Sequence, residues 1–233
     1  MPTYKEVLDI NESYALDNAK EDSGVKILLL HFAKMTSSDL ILSMDKEIPD
    51  DIYQDFLYGV DRYITKNIPV QHITGVEYFY GYEFIVNSNV LIPRFETEEL
   101  VANVLMMYDD VFDGGSVQVV DIGTGSGCLA LTLDKEEPNM TVSATDISFE
   151  ALEVAKENNK KLNANVEFLQ GDMLEPVKGR KFDIIVSNPP YIPDSEYVEG
   201  LVKDNEPSIA LFGGKDGLNF YRQIISGASE ILN

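Results

Sequence analysis

Apolar positions in the first seventy residues recur every three to four places, the period of a helix that buries one face. After Pro49, the residues Ile52, Phe56, Leu57, Val60, Tyr63 and Ile64 keep this spacing, and acids crowd the first turn, where the helix dipole favours them. Ser23 to Met35 is apolar on most sides through Val25, Ile27, Leu28, Leu29, Leu30 and Phe32, which predicts a buried helix. Shorter helical patterns surround Val7 to Leu16 and Asp39 to Met44. A small helical bundle is expected here.

The pattern changes after Pro69. Glu77 to Ile92 is rich in Tyr, Phe, Val and Ile, and Asn87-Ser88-Asn89 interrupts it with turn formers, which predicts a β-hairpin. Glu96 to Tyr108 returns to helical spacing. From Val117 onward strands and helices alternate. Val117–Ile122, Met140–Thr145, Val166–Leu169 and Phe182–Val186 read as strands, while Phe149–Leu162 and Leu218–Leu232 read as helices. Crossover helices between strands predict an α/β fold with a doubly wound, Rossmann-like parallel sheet. The expected organisation is a helical domain over 1–72, a hairpin linker over 73–93 and an α/β domain over 94–233.

Composition narrows the class. The chain has 233 residues, 44% of them hydrophobic, enough for one full α/β domain and a smaller companion. One cysteine, Cys128, allows no internal disulfide and suits a reducing compartment. The first residues show no basic-then-apolar leader, and no apolar run approaches the roughly 20 residues that span a bilayer. A soluble, cytoplasmic protein is expected. The net charge of −22 repels phosphates, which argues against a direct nucleic-acid partner.

Asp121-Ile122-Gly123-Thr124-Gly125-Ser126-Gly127 leaves a strand and enters a helix. Glycines allow positive φ and remove the Cβ that would hold a ligand off the backbone, and the helix start offers free N–H groups. The third glycine comes one residue earlier than in a dinucleotide fingerprint, which disfavours a dinucleotide oxidoreductase. Asp146, ending the second strand, can accept both hydroxyls of a ribose; Asp172, ending the third, can meet the amino edge of an adenine. Each feature alone also fits a tight turn or a helix cap. Together, at the carboxyl ends of successive strands, they predict a nucleoside crevice.

Val186-Ser187-Asn188-Pro189-Pro190-Tyr191 follows the fourth strand. Two prolines fix φ and remove two donors, which frees the carbonyls of Asn188 and Pro189, and the Asn188 side chain adds a further acceptor. A planar NH₂ group has two hydrogens to place, and this loop has an acceptor for each. Tyr191 adds an aromatic face that can stack on a flat group or sit near a cation. The bland alternative is a rigid turn after a strand. His31 and His72 stand in no metal-ligand spacing and read as structural, so no metal is expected.

Taken together these residues resemble the bacterial release factor glutamine methyltransferase family. The resemblance includes Gln71-His72-Ile73-Thr74-Gly75, the hairpin residues Phe79, Gly81 and Phe84, and Ile92-Pro93-Arg94-Phe95-Glu96-Thr97-Glu98, in which Phe95 stands where the family usually has proline. It continues through Asp121 to Gly127, Asn188 to Tyr191, Glu206-Pro207, Ala210-Leu211 and Gly213 to Leu218. It implies a class I S-adenosylmethionine-dependent enzyme that methylates the glutamine of the Gly-Gly-Gln motif in peptide chain release factors and releases S-adenosylhomocysteine. By the same resemblance Gly123, Thr124, Gly125, Ser126, Gly127, Asp146, Met173 and Asn188 contact the cofactor. Asn188, Pro189, Pro190 and Tyr191 hold the glutamine, and the helical domain grips the release factor. The family's sheet has seven strands, whereas the sequence stops at Asn233 after the helix that follows the fourth. A shortened, poorly active chain with an open sheet edge is the corresponding expectation. Two other readings remain: an N6-adenine DNA methyltransferase with a similar Asn-Pro-Pro-Tyr loop, and a non-catalytic nucleoside-binding protein.

Overall fold

The computed structural model describes residues 1–233, which divide into two compact units. The first comprises residues 1–75 together with 200–205, and the second residues 76–199 and 206–233.

In the first unit, α1 (Tyr4–Asp17), α2 (Asp22–Ala33), α3 (Ser37–Ile41), α4 (Asp50–Ile64) and α5 (Val70–Thr74) surround a core containing Tyr4, Val25, Leu28, Leu29, Phe56 and Val60. Their starts follow from local chemistry. Thr3 and Glu6 form a reciprocal capping box on α1, as Thr36 and Asp39 do on α3. The second box starts α3 at Ser37, two residues before the apolar spacing suggests, because the cap and not the pattern sets the boundary. Asp50 and Asp51 open α4 directly after Pro49. The predicted bundle is present.

The second unit opens with a hairpin of β1 (Val76–Phe79) and β2 (Tyr82–Ile85). Its turn is Tyr80-Gly81 and not Asn87-Ser88-Asn89 as the sequence suggested. Tyr80 and Gly81 have φ of 52° and 82°, the pair of positive values that suits a two-residue hairpin turn. The Tyr80 N–H donates to Glu98 Oε1 at 2.7 Å. Asn87 instead accepts from the Asn89 N–H at 2.9 Å, a local turn beyond the hairpin. Phe79 and Phe84 point into the core and pack edge to face, with ring centroids 6.1 Å apart.

A 3-10 turn over Phe95–Thr97 leads into α6 (Glu98–Phe112). Then come β3 (Val117–Ile122), α7 (Cys128–Glu136), β4 (Met140–Asp146), α8 (Phe149–Leu162), β5 (Glu167–Gln170) and β6 (Ile184–Val186). The short α9 (Gly200–Lys203) belongs to the first unit, and α10 (Asn219–Ile231) ends the second. The four strands form one parallel sheet in the order β5-β4-β3-β6. The chain therefore winds outward from β3 through β4 to β5, then crosses back to lay β6 on the other side of β3. β6 is shorter than predicted because Phe182 leaves the β3 ladder and bridges in parallel to Leu232. The reversal between β3 and β6 opens a crevice beyond their carboxyl ends, the place where open α/β sheets bind ligands.

Candidate active site

A cavity of about 400 Å³ fills that crevice. Gly123, Thr124, Gly125 and Ser126 line it from the β3–α7 turn, Asp146 from the end of β4, and Asp172 and Met173 from the segment after β5. Asn188, Pro189 and Pro190 line it from the loop after β6. Of the residues expected to hold the cofactor or the glutamine, only Gly127 and Tyr191 lie off the wall. Gly127 packs instead: a Cβ there would stand 2.9 Å from Leu131 Cδ1. The Tyr191 side chain is exposed outside the cavity.

The glycine turn is shaped for a close neighbour. Gly123, Gly125 and Gly127 have φ of 76°, 57° and 83°, and the space where a Cβ would sit at Gly123 and Gly125 is empty. Asn158, buried on α8, holds this turn by donating to Ser126 O at 2.9 Å, and it bonds both backbone groups of Ile85 on β2. Asp146 accepts from the Gly125 N–H at 2.8 Å and from the Ser148 N–H at 2.9 Å, and burial raises its carboxyl above the usual range.

Asp121 sits beneath the turn with no exposed surface. Its Oδ2 accepts from Thr124 Oγ1 at 2.6 Å, while Oδ1 meets no donor in good geometry. Burial pushes this carboxyl up to about 7. Cys128, at the start of α7, lines the cavity as a thiol, pushed up to about 12 by burial.

The loop after β6 is anchored at both ends. Ser187 Oγ donates to Ile122 O at 2.6 Å, which ties the loop to the strand that carries the glycine turn. Beyond it, the Ile192 N–H donates to Leu211 O at 3.0 Å and the Gly213 N–H donates to Ile192 O at 2.8 Å. Gly213 and Gly217 press against the loop: a Cβ on the first would stand 2.5 Å from Pro190 O, and one on the second would overlap the Tyr191 carbonyl. No hydrogen bond within the chain reaches the carbonyl oxygens of Asn188 or Pro189, or Asn188 Oδ1. Three acceptors are thus unengaged on a braced loop beside the cavity.

Sequence reasoning missed part of the wall. Arg94, Thr97, Cys128, Pro207, Ile209, Asn219, Phe220 and Gln223 also line the cavity. Glu206 is the hidden organiser. Its side chain is 1% exposed, and it accepts from Arg94 Nη2 at 2.6 Å and from the Ile92 N–H at 3.0 Å. Glu206, followed by Pro207, Ser208 and Ile209, gives no sign of this contact in its local chemistry.

A cradle open to a ligand at Gly123 and Gly125, an acidic strand end at Asp146 and a doubly wound sheet define a methyltransferase of the class I fold. Residues 98–205 match the family described as methyltransferase small domain, and residues 11–75 match the PrmC N-terminal domain. The release factor glutamine methyltransferase of Bacillus subtilis (strain 168) is 46% identical over 237 residues, spanning 100% of this chain and 82% of the relative. That of Bacillus cereus (strain ATCC 14579) is 41% identical over 231 residues, spanning 97% and 81%. That of Staphylococcus aureus (strain NCTC 8325 / PS 47) is 37% identical over 236 residues, spanning 100% and 83%. The chain belongs to the release factor glutamine methyltransferase family.

Proposed function

We propose that this chain methylates the side-chain amide nitrogen of the glutamine in the Gly-Gly-Gln motif of peptide chain release factors, with Asn188 and Pro189 as the residues that hold that nitrogen. The observation that carries the reading is the set of unengaged acceptors at Asn188 and Pro189, on a loop tied by Ser187 to the glycine-turn strand.

S-adenosylmethionine supplies an electrophilic methyl group on a sulfonium. The open faces of Gly123 and Gly125 and the carboxylate of Asp146 would hold its amino-acid and ribose parts, and Asp172 and Met173, on the same cavity wall, would hold its adenine. An amide nitrogen is a weak nucleophile because its lone pair is delocalised into the carbonyl. Asn188 Oδ1 and the Pro189 carbonyl each accept one N–H, which concentrates electron density on nitrogen and fixes its line of approach. Orientation of this kind is worth roughly 7–11 kcal/mol in well-aligned systems. With the donor bound, the nitrogen would gain the N–C bond as the S–C bond breaks and would lose one proton to water, leaving S-adenosylhomocysteine. The alkylated amide is acidic enough to need no strong base and no metal. Tyr191, exposed outside the cavity, is placed to meet the protein substrate.

The helical unit of residues 1–75 receives the release factor. The match of residues 11–75 to the PrmC N-terminal domain speaks against the DNA adenine reading. No helix is long and apolar enough to cross a membrane, and the reaction belongs with translation in the cytoplasm.

Mass spectrometry of a release factor incubated with the chain and donor tests this directly. One added methyl on the Gly-Gly-Gln glutamine is the expected result, and an unmodified glutamine with labelled DNA instead would overturn it. Asn188→Ala should lower kcat by about 100-fold or more, in the range seen when a transition-state hydrogen-bonding group is removed. Its donor affinity, measured by calorimetry, should stay close to that of the unaltered chain.

A further inference from the structure

An amide side chain has an accepting end and a donating end, and only the accepting end can hold an N–H of the substrate. If Asn188 turned over, its NH₂ would face the NH₂ of glutamine, donor against donor. A neighbour that accepts from the donating end holds the productive arrangement in place. In the structure Asn188 Nδ2 donates to Thr97 Oγ1 at 3.2 Å, and Oδ1 has no partner within the chain. Thr97 is 9% exposed and lines the same cavity.

Thr97 is itself held in place. It ends the 3-10 turn, and its N–H donates to Arg94 O at 3.0 Å. Arg94 and Ile92 are both bound by the buried Glu206. The hydroxyl that engages Asn188 thus stands on a platform fixed from a different part of the chain. We propose that Thr97 is a positioning residue for methyl transfer: its hydroxyl accepts from Asn188 Nδ2 and holds that side chain against the cavity wall with Oδ1 left for the substrate nitrogen. This role rests on the assignment of Asn188 as a residue that holds the glutamine.

Thr97→Val removes the hydroxyl and keeps the branched shape; Thr97→Ser keeps the hydroxyl. Steady-state kinetics on a release factor, with donor affinity by calorimetry and melting temperature on the same samples, separates the outcomes. Thr97→Val should lower kcat about tenfold, equivalent to about 1.4 kcal/mol, the scale of one well-placed hydrogen bond. KM for the release factor, donor affinity and melting temperature should stay near their original values, and Thr97→Ser should restore most of kcat. The role is overturned if Thr97→Val retains full kcat. It is equally overturned if kcat, donor affinity and melting temperature fall together and Thr97→Ser falls with them, because that marks a structural threonine. An unaltered chain that leaves the glutamine unmethylated sinks the assigned reaction as well; an active chain, inactivated by Asn188→Ala but indifferent to Thr97→Val, sinks only the role of Thr97.

Discussion

Burial keeps a carboxyl group neutral at pH values where an exposed one has already ionised. Asp121, with no exposed surface and one oxygen lacking a good donor, is held up to about 7 for this reason. An unfolded chain releases that proton near the ordinary 3.8 of an aspartate, so between about 4 and about 7 the folded state carries the extra proton. The contribution of Asp121 to stability is therefore full below pH 4 and is lost as pH rises through 7. Asp121→Asn should flatten that part of the profile. In melts at pH 5 and pH 8, the difference between the two temperatures should be smaller in the variant than in the unaltered chain, and an unchanged difference would refute the assignment. Residues of this kind divide by how visible they are in sequence. Gly123, Gly125, Asn188 and Pro189 act through their own backbone geometry or donor count, so a linear reading finds them. Thr97 acts only through Asn188, 91 positions away, and nothing local announces it.

Elements were most legible where one local force decides them. Apolar spacing gave the helices, and short stretches rich in Val, Ile and Phe between them gave the sheet strands. The hairpin was misplaced because two candidate turns compete, and the choice depends on Glu98 reaching Tyr80 from 18 residues on. The same kind of long-range tie joins the segment before α6 to the segment after the β6 loop, through Glu206 and Arg94, 112 positions apart. Removing one partner of a buried charged pair costs about 3–5 kcal/mol, and the half-exposed guanidinium of Arg94 lowers that figure here. Glu206→Ala is expected to cost about 2–3 kcal/mol, read from denaturant melts, and to reduce kcat by loosening the platform under Thr97. A loss below about 0.5 kcal/mol would mean that the pair is solvated in solution.

For the molecule as a whole, the dominant electrostatic fact is the excess of 40 acids over 18 bases. Self-repulsion of a net −22 opposes the compact state and is relieved by salt, whose screening length falls from roughly 30 Å at 0.01 M to roughly 3 Å at 1 M. Melting temperature should therefore rise as sodium chloride is added at neutral pH, and a fall would show that attractive pairs outweigh the repulsion. The same charge was the sequence-level reason to look for a protein substrate and not a nucleic acid.

The cavity wall draws on residues from Asn89 to Gln223, with Asn188 and its brace supplied late in the sequence. A ribosome that has delivered the glycine turn has delivered less than half of the pocket wall. A chain that ends before the loop after β6 therefore lacks the wall residues Asn188, Pro189 and Pro190 that face the glycine turn.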